Sequence, residues 1–351
     1  MTSNIIFASN RLGAIDNDQL QAMLDKFKLG TLISFEKTAN GAMGQTLFVT
    51  ATEGNFVFKG NPLYEGQLRE ERFFIENLHK RTTVPVPMPY CIDDSGEIFQ
   101  WNYALMPRLI GNHLNTIDFT ANPNEKFVVA ELIAKTLLEF HSWKATDFGD
   151  LNTYDFSINP FKESYKHWLF NRIMFWLEDA KKYSKITTED IWWVENLLKQ
   201  SEDVFEKLKT PTFIMGDFKP GNFLIFRNKD GLEISGVFDF TNSYFADPLS
   251  DLIKMVTYYI DANESDVAEH LIKVYFAELN EDIETVIKRM NVHMLHQRVL
   301  DWGCAKAMNM VTWDNNLPFY KWMEFYTNSV VNLFKLTESS QLRKCKKQFR
   351  S

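Results

Sequence analysis

The sequence predicts an α+β fold of two lobes: a five-stranded antiparallel sheet with one main helix, then a larger, mainly helical lobe. Between Thr31 and Met106 the apolar residues come in short runs of period two, separated by Gly, Asn and Pro turn signals. From Asn124 onward they come at helical spacing, except around a strand-like stretch that begins at Phe213. No Pro/Gly/Ser-rich linker and no internal repeat intervenes, so residues 1–107 and 108–351 are expected as two tightly joined lobes.

Bulk properties narrow the class. A chain of 351 residues exceeds one typical core and suits a bilobal enzyme or two modest domains. Its 45% apolar and 24% charged content is that of an ordinary soluble protein. The net charge of −8 argues against nucleic acid as a main partner. It also leans towards a neutral or cationic ligand, although solubility alone accounts for an acidic balance. Cys91, Cys304 and Cys345 are far apart and odd in number, which suggests reduced thiols rather than a disulfide framework. The opening MTSNIIFASNRLG lacks a basic n-region and a long apolar run, and no segment approaches the roughly 20 apolar residues of a membrane span. The expected place is the cytoplasm, with no membrane partner.

Taken in order, Asp16 to Lys28 is a short amphipathic helix stopped by Gly30. Strands follow at Thr31–Lys37, Thr46–Thr50 and Phe56–Lys59, the last two joined by the hairpin signal Glu53-Gly54-Asn55. The loop Thr38–Gln45 is small-residued, so its backbone N–H groups at Gly41, Met43 and Gly44 can approach phosphate oxygens. In the third strand the period of two puts Val57 and Lys59 on one face. Lys59 is then either an exposed edge-strand cation or a phosphate ligand, with Val57 beside the base. Glu65 to Lys80 is a helix whose apolar stripe is Leu68, Phe74, Ile75 and Leu78. The segment Val84–Pro89 ends it, and Tyr90–Ile92 and Ile98–Met106 complete the sheet. Later helices are predicted from Asn124, over Pro160–Tyr183 with Asn159 as cap, and over Thr187–Leu208. Others follow over Pro248–Ile260, Ser265–Ala277, Glu281–Met308 and Leu317–Phe334.

The chemistry concentrates in FIMGDFKPGNFLIF and ISGVFDFTNSYFADPLSDL. Two apolar strands flank a polar loop that offers Asp217, Lys219 and Asn222, shaped by Pro220 and Gly221, and a further apolar run delivers Asp239. Asn222 and Asp239 can give oxygens to a hard cation that is otherwise held by waters and substrate phosphates. Asp217 is left to orient or deprotonate a hydroxyl. The order D-x-K-P-x-N, then D-F, matches the catalytic-loop Asp, its Asn and the metal-binding Asp of kinases.

This stretch resembles the aminoglycoside phosphotransferase and choline-kinase branch of the protein-kinase-like fold. That branch reads H-G-D-x-x-P-x-N, I-D-F or I-D-W, and G-D-P-x-x-D-L. Here the matching residues are Met215-Gly216-Asp217, Pro220, Asn222, Phe238-Asp239-Phe240, Ala246-Asp247-Pro248 and Asp251-Leu252. The resemblance implies a small-molecule kinase that moves the γ-phosphate of ATP, or of GTP, to a hydroxyl on a small acceptor. It implies Asp217 as base, Asn222 and Asp239 on Mg²⁺, and Lys59 on the α- and β-phosphates with Glu71, or its neighbour Glu70, as ion-pair partner. Lys219 takes the position that reaches the γ-phosphate in protein kinases and is often His in this branch. Tyr103–Met106 with Pro107 corresponds to the hinge, where Met106 meets the adenine edge. The closing helices would line the acceptor pocket, with Asp301, Trp302 and Trp313 as wall candidates and Asp314 nearby. Met215 stands where the branch has a loop-bracing His, which leaves a catalytically silent nucleotide-binding regulator as the alternative. The absence of an A-P-E segment after Asp239 disfavours a protein kinase.

Overall fold

The computed structural model describes residues 11–38, 44–277 and 281–348, with side chains as far as Lys335. The first region opens with α1 (Asn17–Phe27), begun by a capping box in which Asp16 and Gln19 satisfy each other's backbone N–H groups. Strands β1 (Leu32–Lys37), β2 (Thr46–Ala51) and β3 (Gly54–Gly60) follow, then α2 (Gln67–Arg81), β4 (Cys91–Asp93) and β5 (Tyr103–Pro107). They form one five-stranded antiparallel sheet in the order β1-β2-β3-β5-β4, the sheet expected from the period-two runs.

Alternation along β3 sorts its two faces. Phe56 and Phe58 point into a small core with Leu20, Met23, Leu24, Leu47, Phe99 and Tyr103. Val57 and Lys59 point the other way, across from Met106 and Ala104 of β5. Helix α2 packs Leu68, Phe74, Ile75 and Leu78 into the main core. Phe74 meets Phe213 at a centroid distance of 5.4 Å, and Phe213 stacks on Trp143 at 5.1 Å. This aromatic contact, rather than a linker, fixes the helix of the first region on the second.

The second region begins with β6 (Asn112–His113) and a 3-10 turn, then α3 (Glu125–His141), β7 (Gly149–Leu151), β8 (Ile158–Pro160) and α4 (Tyr165–Ala180). Next come α5 (Thr188–Gln200), α6 (Glu202–Lys207), β9 (Thr212–Ile214), β10 (Phe223–Asn228), β11 (Gly231–Val237) and β12 (Tyr244–Ala246). Helices α7 (Leu249–Asp261), α8 (Ser265–Phe276), α9 (Ile283–Met308) and α10 (Phe319–Gln348) close the chain. The short strands make two small sheets, β11-β10-β6 and β8-β7-β12-β9. None of the helices in the described residues is long and apolar enough to cross a membrane.

Three boundaries differ from expectation. Pro160 does not start a helix: it ends β8, paired with Gly149, and α4 begins at Tyr165 after Ser164, whose hydroxyl accepts from His167 N at 3.1 Å. A serine cap and a proline start carry similar local signals, and sheet pairing decided between them. Residues 98–102 form a turn rather than strand, and Phe99 stacks on Trp101 to cover the small core. The helix predicted from Thr187 to Leu208 breaks at Ser201, which separates α5 from α6.

One buried ion cluster joins α7 to α9. The carboxylate of Asp247, fully buried, accepts from Arg289 and from His293 Nε2 at 2.8 Å, and Oδ1 also accepts from Leu249 N at 3.1 Å. Arg289 also reaches Glu281. Burial alone would raise the Asp247 pKa, but Arg289 and His293 hold it far below the usual carboxylate range. Truncating one member strands the others without counter-charge. Asp247→Ala should therefore lower unfolding free energy by about 3–5 kcal/mol in guanidinium titrations; a loss below about 1 kcal/mol would show that the cluster does not hold the two helices.

Candidate active site

The site lies where β3, α2 and the β9–β12 segment meet. The strand β9 leads through Met215 and Gly216 into the loop. Gly216 has φ +72°, and a Cβ there would sit 2.0 Å from Asn242 O, so no other residue fits this turn. The loop's amides are held from behind. Asp251, fully buried in the first turn of α7, accepts from Met215 N at 2.6 Å and Gly216 N at 2.9 Å. His141 Nε2 lies 3.7 Å from the same carboxylate, and its Nδ1 meets Tyr275 Oη at 2.8 Å. Burial lowers the His141 pKa, which keeps its ring neutral at physiological pH. Met215 itself is buried apolar packing. Here a carboxylate grips the loop through its backbone.

Beyond that turn, Asp217 stands between two ammonium groups. Lys219 Nζ is 2.6 Å from Oδ2 and Lys254 Nζ is 2.9 Å from Oδ1. Burial pushes the Asp217 pKa up, but Lys254 and Lys219 more than offset it and hold the group at about 2. Its carboxylate is thus ionised throughout the physiological range. Asn222 closes the loop by donating Nδ2–H to Asp217 O at 2.9 Å. With the nitrogen so committed, the amide oxygen is the end left for a cation. Phe238 N donates to Asn222 O at 3.2 Å, which sets Asp239 beside Asn222. Asp239 has φ +70°, a left-handed conformation that costs a non-Gly residue strain and tends to occur where function requires it.

Lys59 completes the arrangement from the sheet. Its Nζ is 2.9 Å from Glu71 Oε2 and 3.3 Å from Asp239 Oδ1. Burial lowers its pKa, but Glu71 and Asp239 carry it above the ordinary lysine value, so it is a permanent cation. Glu71 also accepts from Tyr90 Oη at 2.7 Å and Phe240 N at 3.3 Å. Glu70 points elsewhere and accepts from Tyr64 Oη at 2.6 Å. Val57 and Met106 lie opposite each other on adjacent strands, on the face that carries Lys59. Gly44 has φ +57° and its carbonyl accepts from Leu12 N at 3.3 Å; Gly41 and Met43 lie outside the described residues.

A family model described as the phosphotransferase enzyme family matches residues 34–284. The chain belongs to the phosphotransferase enzyme family. No significant match is found among curated proteins. Among solved structures, this phosphotransferase is similar to a thermostable mutant of aminoglycoside phosphotransferase APH(4)-Ia in complex with ADP and hygromycin B. Identity is 14% and the TM-score 0.62, over 90% of this chain and 98% of the other. The GDP complex of aminoglycoside 2′-phosphotransferase-IIIa matches at 15% identity and TM-score 0.58, covering 91% and 99%. A putative aminoglycoside phosphotransferase from Ralstonia eutropha matches at 15% and 0.59, covering 91% and 99%. At such identities these structures establish the fold, which is the protein-kinase-like α+β fold read from the motifs.

One group of the phosphotransferase site carries no sequence signal, and a second is legible only as a support. Lys254 was unmarked, since a lysine on an amphipathic helix ordinarily faces water; only the packing of α7 turns it onto Asp217. Asp251 reads from sequence as a first-turn carboxylate that supports the site, and the structure shows the form of that support, a grip on the Met215 and Gly216 amides. Of the acceptor-wall candidates, Trp302 is a correction: it is buried at 2% exposure and stacks on Trp313 at 5.2 Å, so it forms core. Its neighbour Asp301 is half-buried and 3.3 Å from Arg298, and Asp314 is exposed.

Glu70 supplies a pH signature. Burial, with Asp150 and Glu71 adding to it, pushes its pKa up to about 7 despite the Tyr64 hydrogen bond. A raised acid stabilises the fold below its unfolded pKa, and that contribution is lost as pH rises through the folded value. Stability should therefore fall from pH 5 to pH 8 by roughly 2–3 kcal/mol through this group, and Glu70→Gln should flatten the profile. Denaturant titrations with equal slopes in both proteins would refute this.

Proposed function

We propose that this phosphotransferase is a small-molecule kinase, transferring the γ-phosphate of ATP or GTP to an acceptor hydroxyl. One observation carries the reading. Asp217, Asn222, Asp239, Lys59 and Glu71 come from a loop, two strands' ends and a helix far apart in sequence, yet meet in one cleft as ionised or hydrogen-bonded groups. Structural neighbours bound to ADP in one case and GDP in another support nucleotide use and leave both bases open.

On this reading residues 1–107 form the nucleotide lobe and hinge, and 108–351 the catalytic and acceptor lobe. Val57 packs against the base and Met106 meets its edge from the same sheet face, and Gly44 ends the loop assigned to the phosphates. Lys59, held in place by Glu71, orients the α- and β-phosphates. Asn222 and Asp239 are the oxygen donors that fit Mg²⁺, which when bound neutralises charge on the phosphate oxygens. Lys219, exposed and flexible, moves from Asp217 to the γ-phosphate. Asp217 aligns the acceptor hydroxyl and takes its proton as the bond to phosphorus forms.

Asp217→Asn should lower turnover by about 10²–10⁴-fold while nucleotide affinity is retained. Asp239→Asn should abolish Mg²⁺-dependent nucleotide binding in calorimetry. Unchanged turnover in the first variant would remove Asp217 as the base, unchanged affinity in the second would remove Asp239 from the metal site, and nucleotide binding without turnover on any acceptor would favour a nucleotide-binding regulator.

A further inference from the structure

Strand alternation in β2 leaves one large ring outside the cores. Leu47, Val49 and Ala51 fill the small core, so Thr46, Phe48 and Thr50 face the other way. The register joins Glu36, Phe48, Val57 and Met106 into one row across β1, β2, β3 and β5. Directly paired residues share a sheet face, so Phe48 lies on the face that carries Val57 and Met106. Lys59 is on that face too, paired with Thr46 two residues from Phe48. Among the described residues Phe48 packs into neither hydrophobic core.

Its ring is covered instead by Arg108, which follows β5. The guanidinium lies over the Phe48 ring, 3.7 Å from its centroid, and Arg108 Nη1 is 3.6 Å from Glu36 Oε1. The Arg108 backbone is fixed, since its N–H donates to Asn55 O at 2.9 Å. The side chain is free to leave: it is 42% exposed, Glu36 is 68% exposed, and a pair so wet holds weakly. A planar guanidinium at this distance fills the layer that a stacked aromatic ring would take. Paired side chains on adjacent strands stand about 5 Å apart, so a bicyclic base packed under Val57 extends under Phe48 as well.

We propose, resting on the kinase reading, that Phe48 is the ring on which the nucleotide base stacks and that Arg108 is its resident occupant, a guanidinium that leaves the ring when the base enters. Entry exchanges one flat group for another, so the Phe48 ring is covered in both states. Glu36 keeps the released guanidinium at the mouth of the cleft. The exchange lowers apparent nucleotide affinity by the fraction of molecules in which Arg108 is off the ring.

Calorimetry on the full chain with Mg²⁺ reads the affinity for ADP and for GDP. Phe48→Ala should weaken both by about 5–100-fold. Phe48→Leu, which keeps an apolar side chain without the ring, should weaken them by a smaller factor. Arg108→Gln should tighten both by about 2–5-fold while lowering the melting temperature of the nucleotide-free protein; a purely structural contact would not move the two in opposite senses. In the Phe48→Ala background, Arg108→Gln should change affinity no further. Adenosine should show the Arg108 effect as ADP does, because the guanidinium competes with the base and not with the phosphates. Unchanged affinity in both Phe48 variants, or unchanged or weaker binding in Arg108→Gln, overturns the proposal. Failure of the kinase reading looks different: the parent protein binds neither nucleotide, or Asp217→Asn turns over as the parent does, whatever stands at positions 48 and 108.

Discussion

The ammonium of Lys59 is the contact on which the cleft depends. It rises from the sheet, pairs with Glu71 of α2, and touches Asp239 on the far side. Three chain segments otherwise joined only by packing are thereby set at one distance from each other. Glu71 is the other half of the constraint, because it also takes the Tyr90 hydroxyl and the Phe240 amide. A nearly buried carboxylate with two neutral donors and a cation is well satisfied, and removing the cation leaves charge in low dielectric. The aromatic packing of Phe74, Trp143 and Phe213 keeps α2 where this can happen.

The catalytic loop is built on the same logic from the opposite side. Asp251 holds its backbone, Asn222 closes it, and Gly216 gives the turn that no side chain permits. Each group is rigid because a buried acceptor has a specific N–H to satisfy. Behind it the Asp247 cluster locks α7 against α9, so Asp251 and Lys254, three residues apart on α7, are delivered together. One face of a single helix thus supplies both the support of the loop and the second cation on Asp217. The strain of Asp239 at positive φ is held by Phe238 N on Asn222 and by the Thr241 hydroxyl, which donates to Asp239 at 2.9 Å.

Local charge and overall charge tell different stories in this protein. The chain is acidic, yet Asp217 itself stands between two ammonium groups, Lys219 and Lys254. Recognition depends on the few groups within a Debye length that are partly desolvated, and net charge governs mainly solubility and long-range steering.

The sequence by itself determined the fold class, the five-stranded sheet and the identity of the groups in the loop. These are local or short-range signals: period-two runs make strands, and D-x-K-P-x-N followed by D-F sets donors at fixed offsets along one chain segment. It also pointed to Lys59, because alternation in Phe56–Lys59 leaves only one face for a polar residue. Tertiary structure alone decided which of Glu70 and Glu71 meets that lysine, since a helix turns adjacent residues by about 100° and its roll is set by packing against Phe213. It alone turned Lys254 inward, moved Trp302 into the core, and placed Pro160 in a strand, because each depends on a partner distant in sequence. Periodicity specifies which residues share a face; only the assembled core specifies what that face meets.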